Sequence, residues 1–267
     1  MSKAVRRTFL PGVLVAILLL TASAPSADAS SSLAGGHPIA TIAAQTSSNW
    51  AGYNQGILEP GKAGGFNQVS GQWVVTAATQ HKAGRAEHSA TWLGIGGGCL
   101  NTSCLAGDAT LIQAGSSQDV AANGKTSYSV WYELIPGPSI TIPNLPVKPG
   151  DTVFVGIRQL APYSDLWVIN VKVNGRGFST TLPYSSTHAT VEWIVETPLV
   201  IGTGGTGVAA MPNLTTTQFA GLKVNNAPAR LTPAEQINLV SGGQRLATPS
   251  APHGAGFNVC TYTTICG

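Results

Sequence analysis

Residues 190–198 have the sequence TVEWIVETP, and this stretch decides the fold of the chain. β-Branched and aromatic residues dominate it and Pro198 ends it, so the pattern predicts a β-strand. Alternation along a strand gives it two faces, which carry Val191, Trp193 and Val195 on one side and Glu192, Ile194 and Glu196 on the other. Glutamate is depleted in strands, so two glutamates on one face need an explanation. For the stretch taken alone, a face that is exposed to solvent is the simplest one.

The rest of the chain continues this strand pattern, because short apolar runs alternate with Gly, Pro and Asn. Besides residues 189–197, the predicted strands cover residues 49–55, 68–76, 89–95, 109–114, 127–135, 152–159, 166–173, 178–182 and 257–263. Many strands with turn residues between them indicate an all-β sandwich or barrel. One brief helix is predicted where the sequence TPAEQ begins at Thr232.

The N-terminus has the pattern of an export signal. A basic region (residues 3–7), an apolar core (residues 10–20) and the sequence ADA (residues 27–29) match its three parts. The pair of arginines in the basic region fits either a general secretory (Sec) signal or a twin-arginine signal. We therefore expect a secreted, extracellular protein with no membrane segment after signal removal. The predicted boundaries are a signal peptide over 1–29, a flexible leader or short pro-segment over 30–46 and a single domain over 47–267.

Composition limits the partners of the exported chain. Loss of residues 1–29 removes three basic residues and one acidic residue from totals of 14 and 11, which leaves a net charge of +1. This balance argues against nucleic acid or an anionic membrane as partner. Charged residues make up 9% of the chain, against roughly 25% in typical domains. A surface with so few carboxylates should tolerate low pH. We expect a monomer.

The four cysteines form two local pairs, Cys99 with Cys104 and Cys260 with Cys266. In an exported protein these short intervals predict two disulfides, each of which closes a small loop. The intervals do not suit a metal site, and no histidine accompanies them, so no metal ion is predicted.

Other polar and aromatic residues also lie in predicted strands. Gln113 shares a strand face with Leu111, and its amide must be satisfied if it is buried. It either caps a sheet edge or polarises a carbonyl group and holds a water molecule. Glu133 is a third strand carboxylate. Trp50 and Trp92 could line a groove for an extended ligand beside these carboxylates, although core packing is the commoner fate of a tryptophan.

Six sequence segments stand in a characteristic order: SSNWAGY (47–53), VSGQWVV (69–75), WLGI (92–95), LIQAG (111–115), WYE (131–133) and EWIVE (192–196). In this order the chain resembles the glutamic peptidases (eqolisins) from about residue 47 to residue 263. The resemblance implies a β-sandwich, jelly-roll and concanavalin-like, of two curved antiparallel sheets with a substrate groove on the concave side. It also implies a secreted, acid-active endopeptidase that acts on polypeptides without a cofactor.

The resemblance also assigns roles to individual residues. Gln113 matches the family's catalytic glutamine, and Glu192 matches its catalytic glutamate. The residues that match groove-lining or supporting positions are Trp50, Trp92, Glu133 and Glu196. In the implied mechanism, ionised Glu192 is the general base for a water molecule and later protonates the leaving amine. Gln113 holds this water and stabilises the oxyanion.

Two positions depart from the family pattern. Gly96 stands where family members often have an aspartate, so an acidic residue of the groove is missing. Ile135 stands where fungal members commonly have a tyrosine, so an aromatic hydroxyl is missing. Both departures leave the Gln–Glu pair in place. We expect them to affect rate, specificity or pH optimum rather than the reaction itself.

Two other functions are compatible with the residues. A glycoside hydrolase on a similar jelly roll would use Glu133 and Glu192 as its paired carboxylates, but it gives Gln113 no role. A non-catalytic module would bind an extended peptide or glycan with the tryptophans in the groove.

Overall fold

The computed structural model describes residues 42–62, 64–202 and 205–267, which form twenty-one β-strands and the short 3-10 helix Pro233–Glu235. Strands β1 to β10 are Ile42–Ala43, Thr46–Ser47, Trp50–Gly56, Gln68–Val74, Ala78–Thr79, Glu87–Gly96, Leu111–Val120, Thr126–Ile135, Ile140–Thr141 and Thr152–Gln159. Strands β11 to β21 are Leu166–Val173, Arg176–Pro183, Thr190–Glu196, Leu199–Gly202, Gly205–Val208, Asn213–Leu214, Thr217–Val224, Ala227–Pro228, Gln236–Ser241, Gln244–Pro249 and Phe257–Thr261. Within these residues, no helix has the length and apolar character that a membrane span requires.

Two sheets pack face to face, and the predicted all-β sandwich is confirmed. Sheet 1 has the strand order β9-β8-β7-β6-β13-β3-β19. Sheet 2 has the order β12-β11-β10-β4-β17-β21-β20-β19. All of these pairings are antiparallel. Strand β19 is bonded to both β3 and β20, so it joins the two sheets at one side of the sandwich.

All ten predicted strands occur, although several have different bounds. Strands β10 and β11 match the prediction residue for residue. Strand β7 continues to Val120 because its polar second half still pairs with β6 and β8. Strands β17, β19 and β20 were not predicted. The predicted signal peptide lies outside the described residues, whereas the last part of the predicted leader forms β1 and β2.

The inner faces of the two sheets form the main hydrophobic core. Its largest side chains include Trp73 and Phe219 from sheet 2 and Trp193 and Leu93 from sheet 1. The indole N–H of Trp73 donates a hydrogen bond to the hydroxyl of Ser116 across the sandwich, at 3.0 Å. A buried indole N–H needs such a partner, so this bond fixes the position of Trp73 between the sheets.

The outer face of sheet 1 is also buried, and we call its apolar side chains the outer cluster. Its members are Trp50, Ala90, Trp92, Leu111, Trp131, Ile194 and Ile237. Strand β13 is consequently buried along its whole length on both faces. The predicted alternation is confirmed, but solvent exposure of Glu192 and Glu196 is wrong, because both residues are fully buried.

Both predicted disulfides form. Cys99 is bonded to Cys104 in the segment between β6 and β7, and Cys260 is bonded to Cys266 at the C-terminus. The first disulfide closes a loop directly after Gly98, which is the residue that contacts Glu192 in the site described below.

A pair of buried carboxyl groups joins the turn after β3 to the 3-10 helix. Glu59 and Glu235 are 9% and 4% exposed. The carboxyl of Glu59 accepts a hydrogen bond from the backbone of Gly56 at 2.8 Å, and that of Glu235 accepts one from the backbone of Thr232 at 2.7 Å. Burial, followed by the hydrogen bond and charge of Glu235, raises the pKa of Glu59 to about 7, although Gly56 and Lys62 oppose this change.

We predict that the fold loses stability as the pH rises towards neutrality. Glu59 holds a proton up to about pH 7 in the folded chain, against an ordinary pKa of 4.5. Its contribution is therefore fully present below pH 4.5 and is lost as the pH rises through 7, a decrease of roughly 3 kcal/mol in the free energy of unfolding. Chemical denaturation at pH 4.5 and pH 7.5 measures this difference.

Glu59→Gln should remove the part of this pH dependence that Glu59 contributes, because glutamine cannot ionise. Asp165→Asn, at an exposed position, should keep the pH dependence of the unmodified protein. Equal losses of stability for both variants and the unmodified protein would contradict the assignment to Glu59.

Candidate active site

Five residues form one row across sheet 1, which we call the cross-strand row. Strand pairing places Asn54 opposite Glu192, Glu192 opposite Gly94, Gly94 opposite Gln113 and Gln113 opposite Glu133. Residues directly opposite each other share a face, so the four side chains stand on the outer face of the sheet. Neighbouring strands are about 4.8 Å apart, which puts the backbones of Glu192 and Gln113 about 10 Å apart.

Gly94 places no side chain between those of Glu192 and Gln113. A Cβ atom at Gly94 would lie 2.9 Å from the carbonyl oxygen of Ile112 and 3.1 Å from Cβ of Gln113. A side chain does not fit there without a shift of the backbone. The carboxyl and the amide therefore stand on the same face of the sheet with β6 between them, and Cδ1 of Leu111 lies over Gly94.

The amide of Gln113 is oriented by Glu133. Its Nε2 donates a hydrogen bond to Oε2 of Glu133 at 2.8 Å, and both side chains are fully buried. Only the nitrogen of an amide donates, so this bond fixes which side of the amide carries the nitrogen. Glu133 thus supports Gln113 directly.

The carboxyl of Glu192 lies in a different environment. Among the described residues, neither of its oxygens has a hydrogen-bond partner of normal geometry. Burial raises the pKa of Glu192 well above its ordinary value of 4.5, and the charge of Asp108 adds to this effect. The hydroxyl of Thr190 and the backbone of Gly98 lie close enough to oppose it in part. Glu192 is therefore a carboxyl group that holds its proton unusually well.

Asn54 fixes the backbone that contacts Glu192. Its Nδ2 donates to the carbonyl oxygen of Cys99, and its Oδ1 accepts from the N–H of Cys99, both at 2.8 Å. A Cβ atom at Gly98 would lie 1.5 Å from Oδ1 of Asn54 and 2.3 Å from Oε1 of Glu192. Glycine at position 98 is what allows this backbone to approach the carboxyl.

Glu196 is bound to the outer cluster instead. The indole N–H of Trp92 donates to Oε2 of Glu196 at 2.5 Å. Trp92 also packs edge-to-face against Trp50, with ring centroids 4.9 Å apart and planes inclined by 77°. Glu192 therefore shares the row with Gln113, whereas Glu196 lies two residues further along β13 beside the two tryptophans.

The structure brings all six residues singled out from the sequence to the outer face of sheet 1. Gln113, Glu133 and Glu192 lie in the cross-strand row. The other three are Trp92, which donates to Glu196, and Trp50, which packs against Trp92. In the described part of the chain, no group of three or more His, Cys, Asp or Glu side chains could hold a metal ion.

Sequence reasoning missed two groups near this face, Asp108 and Tyr184. The hydroxyl of Tyr184 accepts a hydrogen bond from the N–H of Leu111 at 2.6 Å and donates one to the carbonyl of Ile135 at 3.0 Å. An aromatic hydroxyl thus lies beside Ile135, although residue 135 itself lacks one. Tyr184 follows β12 in a loop, and no strand pattern marks it in the sequence.

A model of the peptidase A4 family matches residues 48–262. The chain belongs to the peptidase A4 family. These are the glutamic peptidases, or eqolisins, so the resemblance noted in the sequence is confirmed and the protein is a peptidase. No curated protein sequence matches the chain.

Solved structures of glutamic peptidases share the fold. Scytalido-glutamic peptidase with a transition state analog inhibitor has a TM-score of 0.58 at 17% identity, and the match covers 80% of this chain and 98% of that one. SCP-B, an eqolisin in complex with the tripeptide Ala-Ile-His, has a TM-score of 0.53 at 18% identity with the same coverage. Aspergilloglutamic peptidase from Aspergillus niger has a TM-score of 0.50 at 20% identity, and the match covers 66% of this chain and 99% of that one. At these identities the likeness shows the β-sandwich fold.

We predict that Gly98→Ala destabilises the glutamic peptidase by about 2 to 4 kcal/mol. The new methyl group would displace the amide of Asn54 and break its two hydrogen bonds to Cys99. Gly107→Ala is a matched control in the same segment, because a Cβ atom there meets only the carbonyl oxygen of Gly98 at 3.6 Å. Urea denaturation of both variants measures the difference. A loss for Gly98→Ala no larger than that of the control would contradict this packing.

Proposed function

We propose that this glutamic peptidase is a secreted, acid-active endopeptidase in which Gln113 and Glu192 act together on a water molecule. The observation that carries the proposal is the cross-strand row, which holds the two side chains on one buried face with Gly94 between them. A water molecule and a peptide carbonyl group need such a position, between a general base and a hydrogen-bond donor.

The first chemical step is the attack of water on the peptide carbonyl. Ionised Glu192 accepts a proton from the water, and the hydroxide oxygen forms a bond to the carbonyl carbon. The amide nitrogen of Gln113 carries two hydrogens. One of them is donated to Glu133, and the other would be donated to the developing oxyanion. A single donor to an oxyanion raises the rate about 100- to 1,000-fold.

In the second step the tetrahedral intermediate breaks down. Glu192, now protonated, transfers its proton to the amide nitrogen of the leaving group, and the bond between carbon and nitrogen breaks. A carboxyl group with a raised pKa suits both steps, because it is a stronger base when ionised and still gives up its proton to an amine. The cycle returns Glu192 to its ionised state.

Two groups define the working pH. Glu192 must be ionised to begin the cycle, so kcat/KM rises with pH as the free enzyme loses this proton, and the rise lies above pH 4.5. Stability falls as Glu59 ionises near pH 7. Together they favour activity in mildly acidic solution.

Replacement of the two proposed catalytic residues tests the mechanism. We predict that Glu192→Gln and Gln113→Ala each lower the rate of casein cleavage at least 100-fold between pH 4 and pH 7, because they remove the base and the oxyanion donor. Glu196→Gln is the matched control, since glutamine can still accept the hydrogen bond from Trp92. This control should keep most of the activity.

Thermal unfolding must first show that all three variants fold. Cleavage unaffected by Glu192→Gln and Gln113→Ala would rule out the mechanism. A folded, unmodified protein without cleavage at any pH from 3 to 7 that retains binding of an oligosaccharide or peptide would instead favour a binding module.

We also propose that the protein is exported and acts on polypeptides as a monomer after loss of residues 1–29. The two disulfides support export, because they persist in oxidising compartments. N-terminal sequencing of protein from the culture medium should find Ser30, or a residue nearer to Ile42 if the leader is also removed. Recovery of the chain only inside the cell, with Met1 intact, would contradict export.

A further inference from the structure

Asp108 is a buried carboxylate beside the site that neither the motifs nor the proposed mechanism uses. It is 8% exposed and lies just before β7. Its carboxylate accepts hydrogen bonds from the N–H of Thr110 at 2.9 Å, from the hydroxyl of Thr110 at 3.0 Å and from the hydroxyl of Thr187. These three donors fix the carboxylate in one place.

The backbone connects Asp108 to Glu192 through one residue. The N–H of Asp108 donates to the carbonyl oxygen of Gly98 at 2.8 Å. Gly98 in turn contacts the carboxyl of Glu192, since a Cβ atom there would lie 2.3 Å from Oε1. Asp108 and Glu192 therefore flank the same glycine.

Thr110 lies between Gly96 and Asp108. Gly96 has a φ of +97°, and a Cβ atom there would lie 2.0 Å from the carbonyl oxygen of Thr110 and 3.0 Å from its hydroxyl. With this backbone conformation, residue 96 of this chain consequently cannot carry an acidic side chain. Thr110 fills that space, and its hydroxyl binds Asp108.

We propose that Asp108 is a positioning residue for the Gln113–Glu192 pair. Its carboxylate supplies a fixed negative charge on the other side of Gly98 from Glu192, and its backbone N–H holds Gly98 against the carboxyl of Glu192. The proposal rests on the proposed catalytic role of Glu192. The role of Asp108 differs from the roles of Glu133 and Glu196. Gln113 and Trp92 donate hydrogen bonds to Glu133 and Glu196, whereas the side-chain donors to Asp108 are Thr110 and Thr187.

In the described part of the chain, four other titratable groups lie on or beside this part of the outer face. They are Asp108 before β7, Glu133 on β8, Glu196 on β13 itself and Tyr184 after β12. The charge of Asp108 adds to burial in raising the pKa of Glu192, and it also raises the pKa of Tyr184 beyond the effect of burial. The charge of Asp108 thus acts on both Glu192 and Tyr184.

The test measures the pKa of Glu192 directly in the full-length folded protein. Carbon-13 NMR of the glutamate carboxyl groups gives the titration, and Glu192→Gln assigns the signal. Asp108→Asn removes the charge and keeps a hydrogen-bond acceptor, so the pKa of Glu192 should fall by about one pH unit. The acidic limb of kcat/KM should move to lower pH by the same amount.

Two controls separate charge from structure. Asp151→Asn removes another buried, hydrogen-bonded aspartate in front of β10 of sheet 2 and should leave Glu192 unchanged. Thr187→Val removes a donor but keeps the charge of Asp108, so it should not lower the pKa of Glu192. If Asp108→Asn does not fold, Asp108→Ser makes the same comparison.

An unchanged titration of Glu192 in a folded Asp108 variant would overturn the proposal. A shifted titration with an unmoved acidic limb would overturn it as well, because Asp108 would then not influence the reaction. The NMR titration requires no turnover, so failure of the proposed peptidase mechanism would appear separately, as absent cleavage by the unmodified protein.

Discussion

The site depends on the hydrogen-bonded register of five neighbouring strands in sheet 1. Asn54, Glu192, Gly94, Gln113 and Glu133 face each other because β3, β13, β6, β7 and β8 pair without a slip at this level. A shift of one residue in any strand would turn its side chain from the outer face to the inner core. The inner core prevents this, because the apolar residues of β13 already fill the space between the sheets.

Burial of carboxyl groups in a chain with few charges requires a partner or a proton for each. The carboxylates of Glu133 and Glu196 receive hydrogen bonds from Gln113 and Trp92. Glu192 and Glu59 instead hold protons more firmly than usual. Carboxyl groups with a raised pKa, such as these two, stabilise the folded state in acid. This agrees with the low content of charged residues in the sequence.

Alternation and turn residues were enough to predict ten strands and the two faces of β13, whereas only the family resemblance assigned the six site residues to one groove. They could not show that the outer face of sheet 1 is buried, since a strand pattern gives the sides of a strand and not what covers them. Strands β17, β19 and β20 were missed because glycine and polar residues interrupt their apolar pattern. Asp108 and Tyr184 were missed because their positions depend on long-range contacts of loops.

The position of Gly94 between Glu192 and Gln113 also has a mechanical consequence. Glu192 and Gln113, the proposed base and amide donor, stand on strands that both pair with β6, and the spacing of those strands is fixed by backbone hydrogen bonds. Their alignment is thus complete once the sheet has formed, and substrate binding has no hinge to close between them. The alignment of the two residues should therefore last as long as the sheet is folded. On heating, the alignment and the folded structure should be lost together in one transition.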